Sequence, residues 1–448
     1  MPKGISVSSR LLAAIPLFFG VSGCSILPFY TAANVELIEG TRPSRTRATD
    51  EITFAELQNG IFVGIAMSGG GSRAANFSAA ILLELEEMGF LQAASALSSV
   101  SGSSLTAAYY GLFGTDRSRW SRDKVRELFL TDFQTHWLWR WFFPPYVLGY
   151  WLTDFDRSDI MKAVFDRFLF DGKTFKDMGE AGPKILINAT SLISEKGFIF
   201  SERAFKNLDS RIDTLPVSEA VMASGAFPGA FHNVTLRNYR TRRESYVHLF
   251  DGGPSDNLGV ETLRTMLKKL YSDQNKPRGC FVFIIDAYIS DLAARAQSAH
   301  ERDTRYLTDF LVDDNVLNSA DVMLSLRRRD VLREVNITDP ARSSYVEFNV
   351  PERSDKCVAW HLSFEGLFRL GERARAVRKV VDTIDTAYRL QASTADEQLA
   401  AQDLQNYLFE AAQTLVRGDR DHLKKACQWF IDKGFGDLPC RREVGLTP

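Results

Sequence analysis

Residues 61–114 read IFVGIAMSGGGSRAANFSAAILLELEEMGFLQAASALSSVSGSSLTAAYYGLFG. An apolar, β-branched run from Ile61 to Met67 leads into the glycine cluster 69–71. From Ser72 the apolar residues recur at helical spacing, and a second apolar run ends at Val100 before another helix-compatible stretch. The order strand, glycine loop, helix, strand, sharp turn and helix predicts two βα units of an α/β fold.

Two interpretations fit the glycine cluster. The spacing Gly69-x-Gly71-x-x-Ala74 after a strand is typical of a dinucleotide site, which also needs an acidic residue at the end of the second strand. That strand ends instead in Val100-Ser101. In the other interpretation the glycines expose backbone N–H groups at a helix N-terminus, which favours an anionic oxygen. A serine at the next strand-to-helix turn is where α/β hydrolases place a nucleophile, so the sequence favours a hydrolase.

Three blocks along the chain resemble the signature of a known family. Ser68-Gly-Gly-Gly-Ser-Arg73, Ser99-Val-Ser101-Gly-Ser103 and Asp251-Gly-Gly253 are similar, in this order, to the blocks of patatin-like phospholipases. The resemblance covers roughly residues 61–260. It implies a three-layer α/β/α sandwich that hydrolyses carboxylic esters of lipids through a serine and an aspartate.

The resemblance assigns the two catalytic roles. It implies that Ser101 is the nucleophile and that Asp251 accepts its proton directly, without a histidine. An aspartate with an ordinary pKa of about 3.9 is a weak base, so burial would have to raise its pKa or the site orient it well. Ser104 is the alternative nucleophile, and Asp256 is the alternative acid, although its neighbours make it look more like a turn residue.

The oxyanion hole is expected at the glycine cluster. The backbone N–H groups of Gly70 and Gly71 would bind the oxyanion, and Gly69 would shape the turn. Arg73 lies close to them in sequence. Its guanidinium would either hold an anionic head group or brace the loop, and both roles stay open.

Two departures from the family pattern suggest a different function. The pattern around the nucleophile is Gly-x-Ser-x-Gly, whereas this chain has Ser99 and Ser103 in place of the two glycines. A residual hydrolase site would fit a non-catalytic lipid-binding or scaffolding envelope lipoprotein. Within the hydrolases, the alternative is an esterase or thioesterase that acts on small substrates.

The net charge and the spacing of possible metal ligands give no reason to expect nucleic acid or a metal ion. The chain has 448 residues, 45% of them hydrophobic, and a formal net charge of -2, which gives no reason to expect nucleic acid. No Cys/His spacing suggests zinc and no EF-hand pattern suggests calcium, so neither a metal nor a cofactor is expected. Nothing in the sequence identifies a protein partner.

The first 23 residues are typical of a secretion signal. Lys3 and Arg10 precede an apolar segment, residues 11–21, that is too short to span a membrane as a mature helix. The segment ends in Val21-Ser-Gly-Cys24, which resembles the lipobox of bacterial lipoproteins and implies cleavage before Cys24 and a lipid on its thiol. Ser25 resembles an outer-membrane signal. A plain secretory signal with a chance cysteine stays open.

Two kinds of membrane partner follow from these expectations. One is a membrane surface, which the chain would reach through the lipid at Cys24. The other is a membrane lipid that serves as substrate. The expected location is therefore the bacterial cell envelope, at the outer membrane.

Four further cysteines suit an oxidising compartment. Cys280 stands in an apolar run and is expected to be a buried core thiol. Cys427 and Cys440 are close in sequence, so a local disulfide between them is an open possibility.

The expected organisation has four parts. They are a lipoprotein signal peptide (residues 1–23), a lipid-anchored linker (24–60), the hydrolase domain (61–290) and a mostly helical C-terminal region (291–448). Within the hydrolase domain, residues 137–151 are unusually aromatic and include Pro144-Pro145. Because tryptophan and tyrosine favour the lipid headgroup layer, this segment is expected to contact a membrane or an acyl chain, and a buried cap over the core is the alternative.

Overall fold

The structure, a computed structural model, describes residues 32–272, 276–289, 314–342, 344–350, 356–384 and 395–446. In these residues the strands are β1 (Val35–Glu36), β2 (Ile61–Met67), β3 (Ala96–Val100), β4 (Lys184–Ser191), β5 (Lys196–Ile199), β6 (Ser210–Arg211), β7 (Val234–Arg237), β8 (Tyr246–Phe250), β9 (Gly279–Asp286), β10 (Tyr345–Asn349) and β11 (Lys356–Ser363).

The α-helices of the same residues are α1 (Gly71–Glu87), α2 (Gly102–Phe113), α3 (Arg122–Phe129), α4 (Phe133–Trp141), α5 (Pro144–Leu152), α6 (Arg157–Phe165), α7 (Glu202–Asn207), α8 (Val217–Ser224), α9 (Gly253–Asp256), α10 (Val260–Ser272), α11 (Asp314–Glu334), α12 (Glu372–Val381), α13 (Ala395–Gln413), α14 (Arg420–Asp432) and α15 (Pro439–Glu443). Among the described residues, none of these helices is both long and apolar enough to cross a membrane.

A mixed sheet forms the centre of the fold. Its strand order is β10-β11-β9-β2-β3-β4-β8-β7, with β5 paired to β4. The five strands from β11 to β4 are parallel, and the others pair antiparallel at its two sides. Strand β2 is buried at every position, which suits a parallel strand covered on both faces. The parallel strands bring their carboxyl ends to one edge of the sheet, here called the carboxyl edge.

Helices cover both faces of the sheet. Side chains alternate along β9, so that Phe281 and Phe283 pack in one hydrophobic cluster while Val282 and Ile284 pack in the other. Helices α1 and α2 contribute to the first cluster, and α10 contributes Leu263 and its neighbours to the second. The expected three-layer α/β/α sandwich is therefore confirmed.

The C-terminal region is mostly helical, as expected, but it also completes the sheet. Strands β10 and β11 pair antiparallel, and β11 joins β9 in parallel. Helix α13 packs on α1. The C-terminal region therefore shares the core of the hydrolase domain, and residue 290 does not separate two cores. The sequence did not predict this, because pairing between distant strands cannot be read from local periodicity.

The expected linker also needs correction where the structure describes it. Residues 32–60 do not form a free tether: β1 pairs with β6, and the side chains of Arg47 and Asp50 are buried. Arg47 donates from Nε to the carbonyl oxygen of Met178 at 3.1 Å, and its Nη2 donates to that of Gly111. The Arg47 side chain therefore fastens this segment to the domain. Residues 24–31, like the signal peptide, lie outside the described residues.

Two disulfides tie the chain together. Cys427 and Cys440, 13 residues apart, are bonded, so the local bridge that the sequence left open is present. Cys280 is buried, but the expectation of a free thiol is wrong, because it is bonded to Cys357. The two cysteines lie on the adjacent strands β9 and β11, a proximity that depends on the C-terminal region joining the sheet.

The Cys427–Cys440 disulfide closes a short loop and should stabilise the folded chain. The variant Cys427→Ala/Cys440→Ala is expected to lose about 3 kcal/mol of the free energy of unfolding, because the unfolded chain regains loop entropy. Denaturant unfolding under oxidising conditions measures this, with Cys280→Ala/Cys357→Ala as the matched control that keeps the 427–440 bond. Equal midpoints for wild type and the 427/440 variant would contradict the expectation.

Candidate active site

Ser101 occupies a strained turn between β3 and α2. Its backbone has φ of 52° and ψ of -124°, a left-handed conformation that non-glycine residues rarely adopt and that costs about 1–3 kcal/mol. The backbone N–H of Ser101 donates to Ser224 Oγ at 2.9 Å, and Ser224 Oγ donates to the carbonyl oxygen of Asn188 at 2.6 Å. This geometry is the sharp strand-to-helix turn that presents a nucleophile.

Glycines let two loops approach this turn closely. A Cβ atom at Gly102 would overlap the backbone of Gly71, and one at Gly69 would lie 3.3 Å from Ser101 Cβ and 2.7 Å from Asn257 Oδ1. On the other side, a Cβ atom at Gly252 would overlap the carbonyl group of Asn188. The glycine cluster and the loop after β8 are therefore packed against the serine turn.

Ser99 and Ser103 fit where the family pattern has glycines. Both side chains are fully buried, and neither residue has a positive φ. Ser103 Oγ lies 2.6 Å from the carbonyl oxygen of Ser68 and 3.0 Å from that of Val100, so its proton has acceptors on two elements. Ser99 Oγ lies 3.3 Å from the carbonyl oxygen of Leu186. These serines do not distort the turn.

Asp251 directly follows β8 and its side chain is buried. Its Oδ1 accepts a hydrogen bond from the backbone N–H of Gly253 at 2.8 Å. Its Oδ2 is buried and has no hydrogen-bond partner at an ordinary distance and angle. Burial raises the pKa of Asp251 to about 6, and the Ser101 hydroxyl and the Gly253 N–H each lower it in part. The structure thus brings together the two residues that the sequence predicted.

The alternative residues have other roles. The Ser104 side chain is buried, and its Oγ lies 3.1 Å from Ser99 Oγ and 2.9 Å from Ser224 Oγ. The Asp256 carboxylate accepts the backbone N–H groups of Leu258, Gly259 and Glu261, which makes it the turn residue that its neighbours suggested.

No histidine side chain within the described residues lines that cavity. His361 Nε2 pairs with Asp286 Oδ2 at 2.8 Å, and His422 Nδ1 pairs with Asp419 Oδ2 at 2.7 Å. His300 lies outside the described residues. Within the described residues, no group of histidine, cysteine, aspartate and glutamate side chains is arranged to hold a metal ion.

The glycine cluster forms the N-terminus of α1. Gly70 and Gly71 have φ values of 133° and 57°, and Gly71 lines the cavity beside Ser101. The Gly69 N–H donates to the carbonyl oxygen of Asn257 at 3.0 Å. The Gly69 N–H is therefore engaged by the loop that contains Asn257.

Arg73 braces this loop. Its side chain is buried, Nε donates to the carbonyl oxygen of Ala287 at 2.9 Å, and Nη1 donates to that of Ile384 at 2.6 Å. Of the two roles that the sequence left open, the structure shows the bracing one. Arg73 thereby ties the start of α1 to the end of β9 and to the C-terminal region.

The supporting roles of Ser224 and Asn188 were not predicted from the sequence. Asn188 Nδ2 donates to Ser98 Oγ and to the Ser99 carbonyl oxygen, both at 2.9 Å, and Asn188 Oδ1 accepts from Thr262 Oγ1 at 2.7 Å. In the sequence, the signal for the role of Asn188 was its position as a polar residue in the apolar strand β4.

A narrow cavity of about 50 Å³ opens beside Ser101. Its apolar lining consists of Leu105, Phe133, Phe165, Val221, Met222 and Phe231. Ligand sites are typically about 300 Å³ or more, so aromatic side chains must move before a long apolar chain can enter.

Restoring the family glycine at residue 103 should weaken the fold. Ser103→Gly is expected to lower the free energy of unfolding by about 1–2 kcal/mol, because it removes a buried hydrogen bond and places glycine in a helix. Chemical denaturation measures this, and Ser103→Ala, which removes the hydrogen bond alone, should lose less. A Ser103→Gly protein as stable as wild type would show that the hydroxyl contributes nothing.

The buried carboxyl group of Asp251 should make stability depend on pH. Its pKa is about 6 in the folded protein and has the ordinary value of 3.8 in the unfolded chain, so the free energy of unfolding falls as pH rises between these values. Asp251→Asn carries no charge and should be more stable than wild type at about pH 8, by up to about 3 kcal/mol.

That stability difference should shrink toward about pH 4, where the wild-type carboxyl group is protonated in the folded protein and increasingly so in the unfolded chain. Thermal unfolding across this pH range measures it. Ser101→Ala keeps the carboxyl group but removes a hydroxyl that lowers its pKa, so its stability should still fall with rising pH, at least as steeply as that of wild type. If the stabilities of wild type and Asp251→Asn changed in parallel with pH, the raised pKa of Asp251 would be refuted.

Part of the chain matches a known protein family. Residues 65–264 match the family described as Patatin-like phospholipase. No curated protein sequence gives a significant match. Human GIVD cytosolic phospholipase A2 is a similar solved structure, with 12% identity and a TM-score of 0.48. The match covers 85% of this chain and 63% of the phospholipase chain, which is less than two thirds of the phospholipase's length. VipD from Legionella pneumophila is similar with 13% identity and a TM-score of 0.30, over 86% of this chain and 72% of that one.

At these identities and TM-scores, likeness does not transfer activity from those proteins. The family match covers the segment from the glycine cluster to the loop after Asp251. It includes the strained serine turn and the buried carboxyl group that the fold brings together. Residues 65–264, which hold this site, therefore match the Patatin-like phospholipase family.

Proposed function

We propose that the chain is a lipid acyl hydrolase that cleaves carboxylic esters of membrane lipids through Ser101 and Asp251. The observation that carries this proposal is the pairing of a strained, half-buried serine with a buried carboxyl group whose Oδ2 is available as a proton acceptor. The apolar cavity beside Ser101 supports an acyl chain as the group that binds there.

The reaction would use groups of the chain and water. Asp251 accepts the proton of the Ser101 hydroxyl while Oγ attacks the ester carbonyl carbon, which produces a tetrahedral intermediate. The backbone N–H groups of Gly70 and Gly71 would stabilise its oxyanion at the positive end of α1. The intermediate expels the alcohol, which takes the proton from Asp251.

Water then resolves the acyl-serine. Asp251 removes a proton from the attacking water, the second intermediate collapses, and Ser101 leaves with the proton as the fatty acid is released. A carboxyl group whose pKa is about 6 is ionised at neutral pH and is a stronger base than an exposed aspartate, so its burial suits both steps.

We also propose that the protein resides in the bacterial cell envelope, held at the outer membrane by a lipid on Cys24. Two disulfides support an oxidising compartment, because such bonds are rare in the cytosol. Residues 32–60 pack on the domain, so an anchor at Cys24 would hold the body close to the membrane.

A fluorophosphonate probe tests the nucleophile and its base together. The label should map to Ser101 and be absent from Ser101→Ala, and the labelling rate should fall by at least about 100-fold in Asp251→Asn. Because the base must be ionised, the wild-type rate should decline as pH falls through about 6. Intact-protein and peptide mass spectrometry provide the readout.

Ser104→Ala is the matched control and should keep the label. Label on Ser104 would show that the nucleophile is assigned wrongly, and folded wild type that takes no label would favour a lipid-binding scaffold without catalysis. If labelling succeeds, the rate of ester hydrolysis is compared above and below the critical micelle concentration of the substrate. This comparison separates a lipase from an esterase or thioesterase that acts on small substrates. A lipase should be faster on the micelles.

A further inference from the structure

Helices α4 and α5 carry a large exposed apolar surface. It is here called the aromatic hairpin and comprises residues 133–152. Trp139 and Phe142 are 72% and 76% exposed, and Phe143 and Leu148 are 57% and 59% exposed. Side chains of this kind are rarely left in water by a monomeric protein, so such a patch marks an interaction site. The buried cap considered from the sequence does not describe these four residues.

The composition of the hairpin favours a bilayer over a protein partner. Residues 133–153 contain no aspartate, glutamate or lysine and a single arginine, Arg140. Protein interfaces have a polar rim, whereas a surface that enters the headgroup layer is best without carboxylates. Tryptophan and tyrosine, which are frequent here, favour that layer.

The hairpin is continuous with the catalytic cavity. Phe133, at the start of α4, lines the cavity beside Ser101. The Trp137 ring lies 5.7 Å from that of Phe231, which also lines the cavity. The segment that carries the exposed surface therefore also contributes to the lining of the cavity at Ser101.

Two other exposed apolar groups lie at the carboxyl edge of the sheet. Leu192 and Ile193 directly follow β4, which ends at this edge, and are 52% and 69% exposed. On α11, Met323 is 67% exposed, and the neighbouring Leu324 lies against Gly253 in the loop after Asp251. Apolar side chains from three segments thus surround the edge that holds the catalytic pair.

We propose that the aromatic hairpin docks the protein on a lipid bilayer and delivers an acyl chain into the cavity at Ser101. This inference rests on the proposed acyl hydrolase function. Docking places the apolar surface in the headgroup layer, so an acyl chain moves from the bilayer past Phe133 and Phe231 without crossing water. It also gives the aromatic side chains at the cavity a reason to rearrange when lipid is present.

Vesicle flotation tests the surface independently of catalysis. Every protein is the full chain with Cys24→Ala, so that no lipid at residue 24 holds it, and with Ser101→Ala, so that no lipid is consumed. The test variant is Trp139→Ser/Phe142→Ser/Phe143→Ser. The matched control is Ile38→Ser/Phe368→Ser/Leu399→Ser, which removes three apolar side chains that are 69%, 56% and 63% exposed elsewhere.

The test variant should partition at least about tenfold more weakly than its parent onto phosphatidylcholine vesicles, with or without phosphatidylglycerol, because apolar area drives the binding. The control variant should partition like its parent. Equal partitioning of test and control variants overturns the proposal. So does a parent that forms dimers in solution through this surface, with the test variant monomeric and vesicle binding unchanged.

Hydrolysis by the same surface variants with Ser101 restored separates this inference from the proposed function. The test variant should hydrolyse a soluble short-chain ester at close to the parental rate and vesicle lipid at least about tenfold more slowly. If the parent hydrolyses neither substrate, the proposed function fails while the flotation result still decides the docking surface. If both rates fall together, the hairpin supports the cavity rather than the membrane contact.

Discussion

The geometry of the carboxyl edge depends on the left-handed backbone at Ser101. An L-residue holds this conformation only where its surroundings enforce it. Ser224 fixes the peptide N–H of Ser101, the Gly71 backbone leaves no room for a side chain at residue 102, and Asn188 bonds to the strand that leads into the turn. The backbone that carries the serine side chain is therefore held in place by these contacts. Such preorganisation is the main physical source of electrostatic catalysis.

The buried carboxyl group is the second constraint, and it exchanges stability for basicity. Water is excluded from Asp251, so its ionised form is penalised, and the backbone N–H of Gly253 together with the Ser101 hydroxyl offsets this penalty in part. The same burial that weakens the fold at neutral pH makes the carboxylate a useful base. No histidine side chain among the described residues lines the cavity beside Ser101.

Local patterns were enough to predict the residues at the centre of the site. Ser101 and Asp251 each follow a strand and precede a glycine, and the resemblance to a known family implied their catalytic roles. Long-range contacts could not be read in this way. The role of Arg73 depends on carbonyl groups more than 200 positions away, and the bond between Cys280 and Cys357 depends on a distant strand joining the sheet. The packing of residues 32–60 likewise depends on partners far along the chain.

The disulfide between Cys280 on β9 and Cys357 on β11 also closes part of the chain into a covalent ring. Every peptide bond between Cys280 and Cys357 lies inside that ring, 77 positions around. A protease that cuts the backbone once within it produces two fragments that remain one molecule until the disulfide is reduced. The half that carries Ser101 and Asp251 therefore keeps β11 and the helices that follow it. Arg73 keeps its acceptor at Ile384, and the glycine loop retains its brace after such a cut.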